Sequence, residues 1–192
     1  MNETAKRILK TAGIILLAVI LILVIYLLYL VISYHRIEDK QSIEINSLNA
    51  TSKDKVKTGV EYTAGTYNVG FGAYTPDYSF FMDGGKYSRC FSRQSGIDAI
   101  NGAADYAKSE NPDFMIFEEV DRDSTRSYHV NQENLINKKF QGYFQNFAVN
   151  YDSAYLFYPF NEPIGKSYSG ISVYSKYEIT SALRRSFPIS TS

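Results

Sequence analysis

Four carboxylates fall within six residues in the run Phe117-Glu118-Glu119-Val120-Asp121-Arg122-Asp123. Charges this close repel one another, so the cluster needs either full solvation or a hard cation to neutralise it. Mg2+ suits such a place, because it takes oxygen ligands: typically one or two carboxylates, with waters and phosphate oxygens completing the shell. A bare acidic turn is more often simply solvated, and the cluster alone leaves both readings open. Its neighbours add weight to the metal. Ahead of it, Asp113–Glu118 carries the apolar run FMIF and reads as a short buried strand, which places the carboxylates at a strand end. A second strand, read over Val60–Asn68 between Gly59 and Gly70, ends in Asn68, whose amide offers a neutral oxygen. An Asn and a Glu at the carboxyl ends of two strands can share one metal ion.

Other polar side chains nearby carry less specific signals. In DSTRSYHVNQ, Arg126 has the planar fork that grips phosphate, and Ser124 and Thr125 can assist. The competing reading is helix capping by Ser124 or Thr125 with Arg126 as a surface residue. His129 reads as a helix-face residue near the site, and His35 as an interfacial residue beside a membrane. The single cysteine, Cys90, has no partner for an internal disulfide or a cysteine zinc site and reads as a plain loop thiol. The aromatic runs Tyr78–Phe81 and Leu156–Phe160 read as packing, with rim tyrosines able to stack on a ligand.

The elements that must position these groups follow from periodicity. Ile97, Ile100, Ala104 and Ala107 share one face of a helix predicted over Ser95–Lys108. Ser95 with Asp98 is a candidate capping box, and Asn111-Pro112 stops the helix. A second helix is predicted over Tyr128–Phe140. Strands follow at Tyr143–Asn150, Gly170–Tyr174 and Ile179–Phe187. Alternating strands and helices define an α/β class.

Three stretches, TYNVGFG, PDFMIFEEVD and SYSGISVYSKYEI, occur in an order and spacing that resembles the endonuclease/exonuclease/phosphatase superfamily, the deoxyribonuclease-like metal-dependent phosphoesterases. The resemblance runs from Val60 to Phe187. It implies a four-layer α/β sandwich, two packed β-sheets flanked by helices, of which this chain carries the N-terminal half. It implies that Asn68 and Glu119 coordinate or orient a catalytic Mg2+, with Mn2+ as an alternative ion. Glu118 stands where the family has glutamine and adds negative charge beside the metal; Asp121 lies close by. The family's second-half motifs, GDxN and SDH, do not occur in the 192 residues. The expectation is a partial domain, inactive alone, whose general base lies downstream.

Ala12–Ile32 is 21 residues without a charge. As a helix it spans about 30 Å, the hydrocarbon thickness of a bilayer, and it lacks the short core and small-residue cleavage site of a signal peptide. We read a transmembrane anchor over residues 12–34, a cytoplasmic tail before it, a juxtamembrane linker over 35–58, and the partial domain over 59–192. Lys6, Arg7 and Lys10 outweigh Glu3 on the N-terminal flank, so the domain is expected outside the cell. Composition, 45% hydrophobic and 21% charged, excludes wholesale disorder. Residues 37–192 hold sixteen Lys/Arg against nineteen Asp/Glu, a balance of −3. That disfavours long nucleic acids, whose affinity comes from phosphate neutralisation. The expected substrate is a lipid headgroup, small phosphoester or nucleotide. The rival reading is a non-catalytic surface module on the same fold, its acidic turn simply solvated.

Overall fold

The computed structural model describes residues 2–34, 36–52 and 54–187. The expectation for His35 falls outside them. The chain divides into two units, Met1–Arg36 and Ile37–Ser192.

The first unit is one helix, α1 (Glu3–Ser33). Asn2 caps it, its side chain accepting from the Ala5 amide at 2.8 Å, and Glu3 pairs with Lys6 in the first turn. After Lys10 no charge appears before its end, and 31 residues span about 46 Å. It is long and apolar enough to cross a membrane.

The second unit is mixed α/β. In chain order it comprises β1 (Gln41–Ser42), β2 (Ile45–Leu48), β3 (Ala64–Asn68), α2 (Arg93–Ser109), β4 (Phe114–Asp121), α3 (Gln132–Lys139), β5 (Tyr143–Leu156), β6 (Gly165–Ser175) and β7 (Leu183–Arg184). Five strands form one sheet in the order β2-β5-β6-β4-β3; β1 and β7 form a separate two-stranded pair. Among the described strands only β3 and β4 run parallel, with α2 as their crossover; the other neighbours are antiparallel.

Both helices pack on the sheet. Ile100, Ala104 and Ala107 of α2 and Ile136 of α3 meet Met115, Phe117 and Val120 of β4, with Tyr143, Phe147 and Tyr174 from β5 and β6. Alternate residues of a strand point to one face, which is why Met115 and Phe117 share the core side. Phe117, Phe140 and Tyr174 pack as mutually tilted rings 4.7–5.7 Å apart. The Tyr174 hydroxyl donates to Asn137 at 2.7 Å, so its polar tip is satisfied inside the core. Ile116, on the opposite face of β4, is 37% exposed.

Several boundaries depart from the sequence expectations. Helix α2 starts earlier because Ser92, not Ser95, is its cap: Ser92 and Ser95 exchange reciprocal side-chain bonds at 2.9 and 3.0 Å, and Asp98 takes no part in that box. Strand β3 loses residues 60–63, since Thr63 is turned into a clasp with the Asp113 carboxylate at 2.9 and 3.1 Å. Helix α3 starts at Gln132, because Tyr128 and His129 take left-handed φ of 55° and 57°, which no α-helix accommodates. The expected strand over Ile179–Phe187 shrinks to Leu183–Arg184. Within the stretch read as a linker over 35–58 lie β1 and β2, and β2 is an edge strand of the main sheet.

Candidate functional site

The site begins where the parallel pair ends. Asn68 lies opposite Glu118 in register, and the Val69 amide donates to the Glu118 carbonyl at 3.0 Å. The β4–β6 ladder then shifts between Phe117 and Val120, and Glu119 sits in the left-handed region at φ 56°. A bulge of this kind adds one residue to a strand and re-aims its side chain. Gly170, paired with Val120 just past the bulge, has no room for a side chain, because a Cβ there would collide with the Ala148 carbonyl oxygen of β5.

In a regular strand Glu118 and Glu119 would point to opposite faces. Here both reach the same strand. Glu118 accepts from the Thr66 hydroxyl at 2.7 Å, and Glu119 from the Asn68 amide at 3.0 Å. Thr66 and Asn68 are two residues apart and share a face of β3. The Asn68 amide is fixed in turn, because its oxygen accepts from the Gly70 amide at 2.9 Å. A left-handed turn at Gly70, Phe71 and Gly72 carries the chain off the strand end. Gly72 lies so close to α2 that a Cβ would come within 2.8 Å of the Gly96 carbonyl oxygen.

Do these residues suit a hard divalent ion? The donors are oxygen, and Glu119 is held by a neutral amide instead of a cation. One carboxylate, with water and phosphate filling the rest, is the lower limit of what Mg2+ accepts. Glu118, tied to a hydroxyl, leaves a second carboxylate beside it. Among the described residues no group of three or more His, Cys, Asp or Glu side chains could hold a metal ion. Glu119, with Glu118 next to it, is the carboxylate that such an ion would have to use.

The remaining carboxylates of the cluster belong elsewhere. Asp121 is fully buried and paired with Arg126 through both its oxygens, at 2.9 and 3.2 Å. Arg126 is itself 9% exposed and stacks on Phe71, 4.1 Å from the ring centroid. The phosphate contact expected at Arg126 is thus corrected: its fork is taken by Asp121. Asp121 likewise turns inward, away from the near-site role expected of it. Gln132 completes this network, accepting from the Asp121 amide at 3.0 Å and donating to the Phe71 carbonyl at 2.7 Å. Beside it Arg122 donates to Glu133 at 2.9 Å and lies over the Phe147 ring.

Asp123 stays outside. It binds His129 Nδ1 at 2.6 Å and Lys166 Nζ at 3.3 Å, and the His129 hydrogen bond first, then Lys166, holds its carboxyl below the ordinary value against the opposing effect of burial. His129 projects from its left-handed turn as an exposed side chain, not from a helix face.

Tyr74 links the corner to the loop that follows. Burial first, then the carboxylates of Asp83 and Glu119, raise its phenol above the ordinary value, so it stays a neutral donor at physiological pH. Cys90 is pushed up to about 12, chiefly by burial, and its thiol donates to the Phe71 carbonyl at 3.3 Å. It is an inert packing residue.

Sequence reasoning reaches Asn68, Glu118 and Glu119 but misses Thr66, Tyr74 and Gln132. For Thr66 a signal is present: it lies two residues before Asn68, on the same strand face. Nothing local marks Gln132 as the residue that closes the buried network.

Comparison of the chain with family models, with curated proteins and with solved structures finds no match in any of the three.

Proposed function

We propose that this chain is a membrane-anchored, Mg2+-dependent phosphoesterase of the endonuclease/exonuclease/phosphatase type, its α/β unit held outside the cell by α1. The observation that supports it is the coupling of Asn68 to Glu119 across the ends of two parallel strands, with Glu119 kept at φ 56° by a bulge. Strained, non-glycine backbone at a strand end gathers at functional sites, because the surrounding structure must hold it there.

In this reading Glu119 holds the ion, and Asn68, fixed by the Gly70 amide, sets the direction of its carboxylate. Bound there, Mg2+ or Mn2+ would supply Lewis-acid polarisation of a phosphoryl oxygen. Tyr74 contributes a neutral hydroxyl at the rim. Glu118 loads the corner with extra negative charge, which favours a divalent over a monovalent ion. The substrate is a lipid headgroup, a small phosphoester or a nucleotide.

Two measurements test this. Mn2+ binding to the full chain, followed by electron paramagnetic resonance, should weaken on the order of 100-fold in Glu119→Gln and only a few-fold in Glu118→Gln. Equal losses would refute the assignment to Glu119. Mg2+-dependent hydrolysis of a chromogenic phosphodiester by the native protein should be abolished in Glu119→Gln; hydrolysis that survives that change would overturn the metal reading.

A further inference from the structure

Away from the carboxylates, the aromatic residues form a continuous series that rises from the core to the surface. Phe71 and Tyr78 are buried and 6.3 Å apart. Phe80 packs on Phe71 at 5.9 Å and on Phe81 at 4.9 Å; Phe81 meets Tyr158 at 5.8 Å, and Tyr158 meets Phe160 at 5.9 Å. The series crosses between two loops far apart in sequence: the one after β3 and the one joining β5 to β6. Polar bonds bolt the two loops together underneath. Arg89 donates to the Pro163 carbonyl at 2.8 Å, and the Ser88 amide donates to the Glu162 carboxylate at 3.0 Å.

The base is therefore ordered and the tips are bare. Tyr158 is 64% exposed, Met82 72% and Phe160 84%. Large apolar tips held out on a braced base mark an interaction surface.

Two features choose the occupant. The same chain carries α1, long and apolar enough to span a bilayer, and only residues 34–40 separate α1 from β1. Tyr158 and Phe160 are of the aromatic types that settle at the headgroup level of a bilayer, with the apolar Met82 beside them. The two loops, residues 69–92 and 157–164, carry Asp77, Asp83 and Glu162 against Lys86 and Arg89, so they have no basic excess to select anionic lipid.

We propose that Tyr158, Phe160 and Met82 form a docking rim that inserts into the interfacial layer of a zwitterionic bilayer, giving the domain a second, non-covalent hold on the membrane that α1 anchors. This rests on reading α1 as a membrane span, and it is independent of the metal site.

The protein contains no tryptophan, so a single introduced one is a clean reporter. The full chain is placed in phosphatidylcholine nanodiscs as Phe160→Trp or, as a control, as Tyr106→Trp on the exposed side of α2 (64% exposed). Lipid brominated near the glycerol end is expected to quench most of the indole emission of Phe160→Trp and shift the remainder to the blue, while the emission of Tyr106→Trp stays unchanged. Adding Tyr158→Ser and Met82→Ser to Phe160→Trp should restore part of the lost emission. Chain that enters nanodiscs with the Phe160→Trp indole unquenched overturns the rim. Quenching that requires anionic lipid, or a blue shift that appears only when several chains share a disc, overturns zwitterionic lipid as the partner. Failure of the chain to enter discs overturns the α1 reading, and the rim with it.

Discussion

The acidic positions at the end of strand β4 are treated by the fold in opposite ways. Glu118 and Glu119 lie towards the surface and are met by neutral partners, a threonine hydroxyl and an amide. Asp121, two residues on, is fully buried and met by a guanidinium, with Glu133 and Arg122 repeating the pattern beside it. The difference separates acids that hold the structure from acids left chemically available. A carboxylate neutralised inside by arginine cannot serve an external cation, whereas one held by an amide keeps its charge for something else.

The strongest challenge to this contrast is to remove one buried partner. Arg126→Met leaves the Asp121 carboxylate unpaired in the core and should cost about 3–5 kcal/mol of stability. Adding Asp121→Leu in the same chain should return most of that loss. Denaturant unfolding of the full chain in detergent checks both, and a single-variant loss below about 1 kcal/mol would place Asp121 in water. Gln132→Ala is the next largest change. It strips partners from the Asp121 amide and the Phe71 carbonyl and should cost about 1–3 kcal/mol in the same unfolding measurement.

At the exposed pair the sign should reverse. Glu119→Gly relieves a non-glycine residue at φ 56° and should stabilise the unit by roughly 0.5–1 kcal/mol while abolishing Mn2+ binding. Loss of stability in that variant would mean that the Asn68 bond outweighs the backbone strain. The smallest effect concerns Asp123. Its folded pKa is lowered, so its contribution is present above the ordinary carboxylate value and disappears as pH falls through the lowered one, below about pH 4. The side chain is half exposed, which limits this to the roughly 0.2–1 kcal/mol of surface pairs. Asp123→Asn should flatten only that acid limb of a stability profile.

Legibility in the sequence follows the range of the interactions. Helix α2 is readable because Ile97, Ile100, Ala104 and Ala107 repeat at helical spacing; only its cap slips, since Ser92 and Ser95 both qualify for the role. Strand β4 is readable from FMIF, and Asn68 with Glu119 from their places at strand ends. Strand β2 is not: INSL has little alternation, and its partner is supplied by β5, far along the chain. Arg126 misleads for the same reason. Whether an arginine fork faces phosphate or an internal carboxylate depends on where the turn at Tyr128 and His129 sends the backbone, and local composition does not record that.

The pairing of β2 also sets an order of events in time. Ile45 pairs with Asn146, so 101 positions separate the two partners. Translation proceeds at about 5–20 residues per second, so this edge of the sheet waits roughly 5–20 s for its neighbour after its own residues have been made. The helix before it is complete throughout that interval, and β3, α2 and β4 emerge within it. The strand nearest the anchor is therefore made first and paired late, and until β5 emerges it stays open to proteases and chaperones.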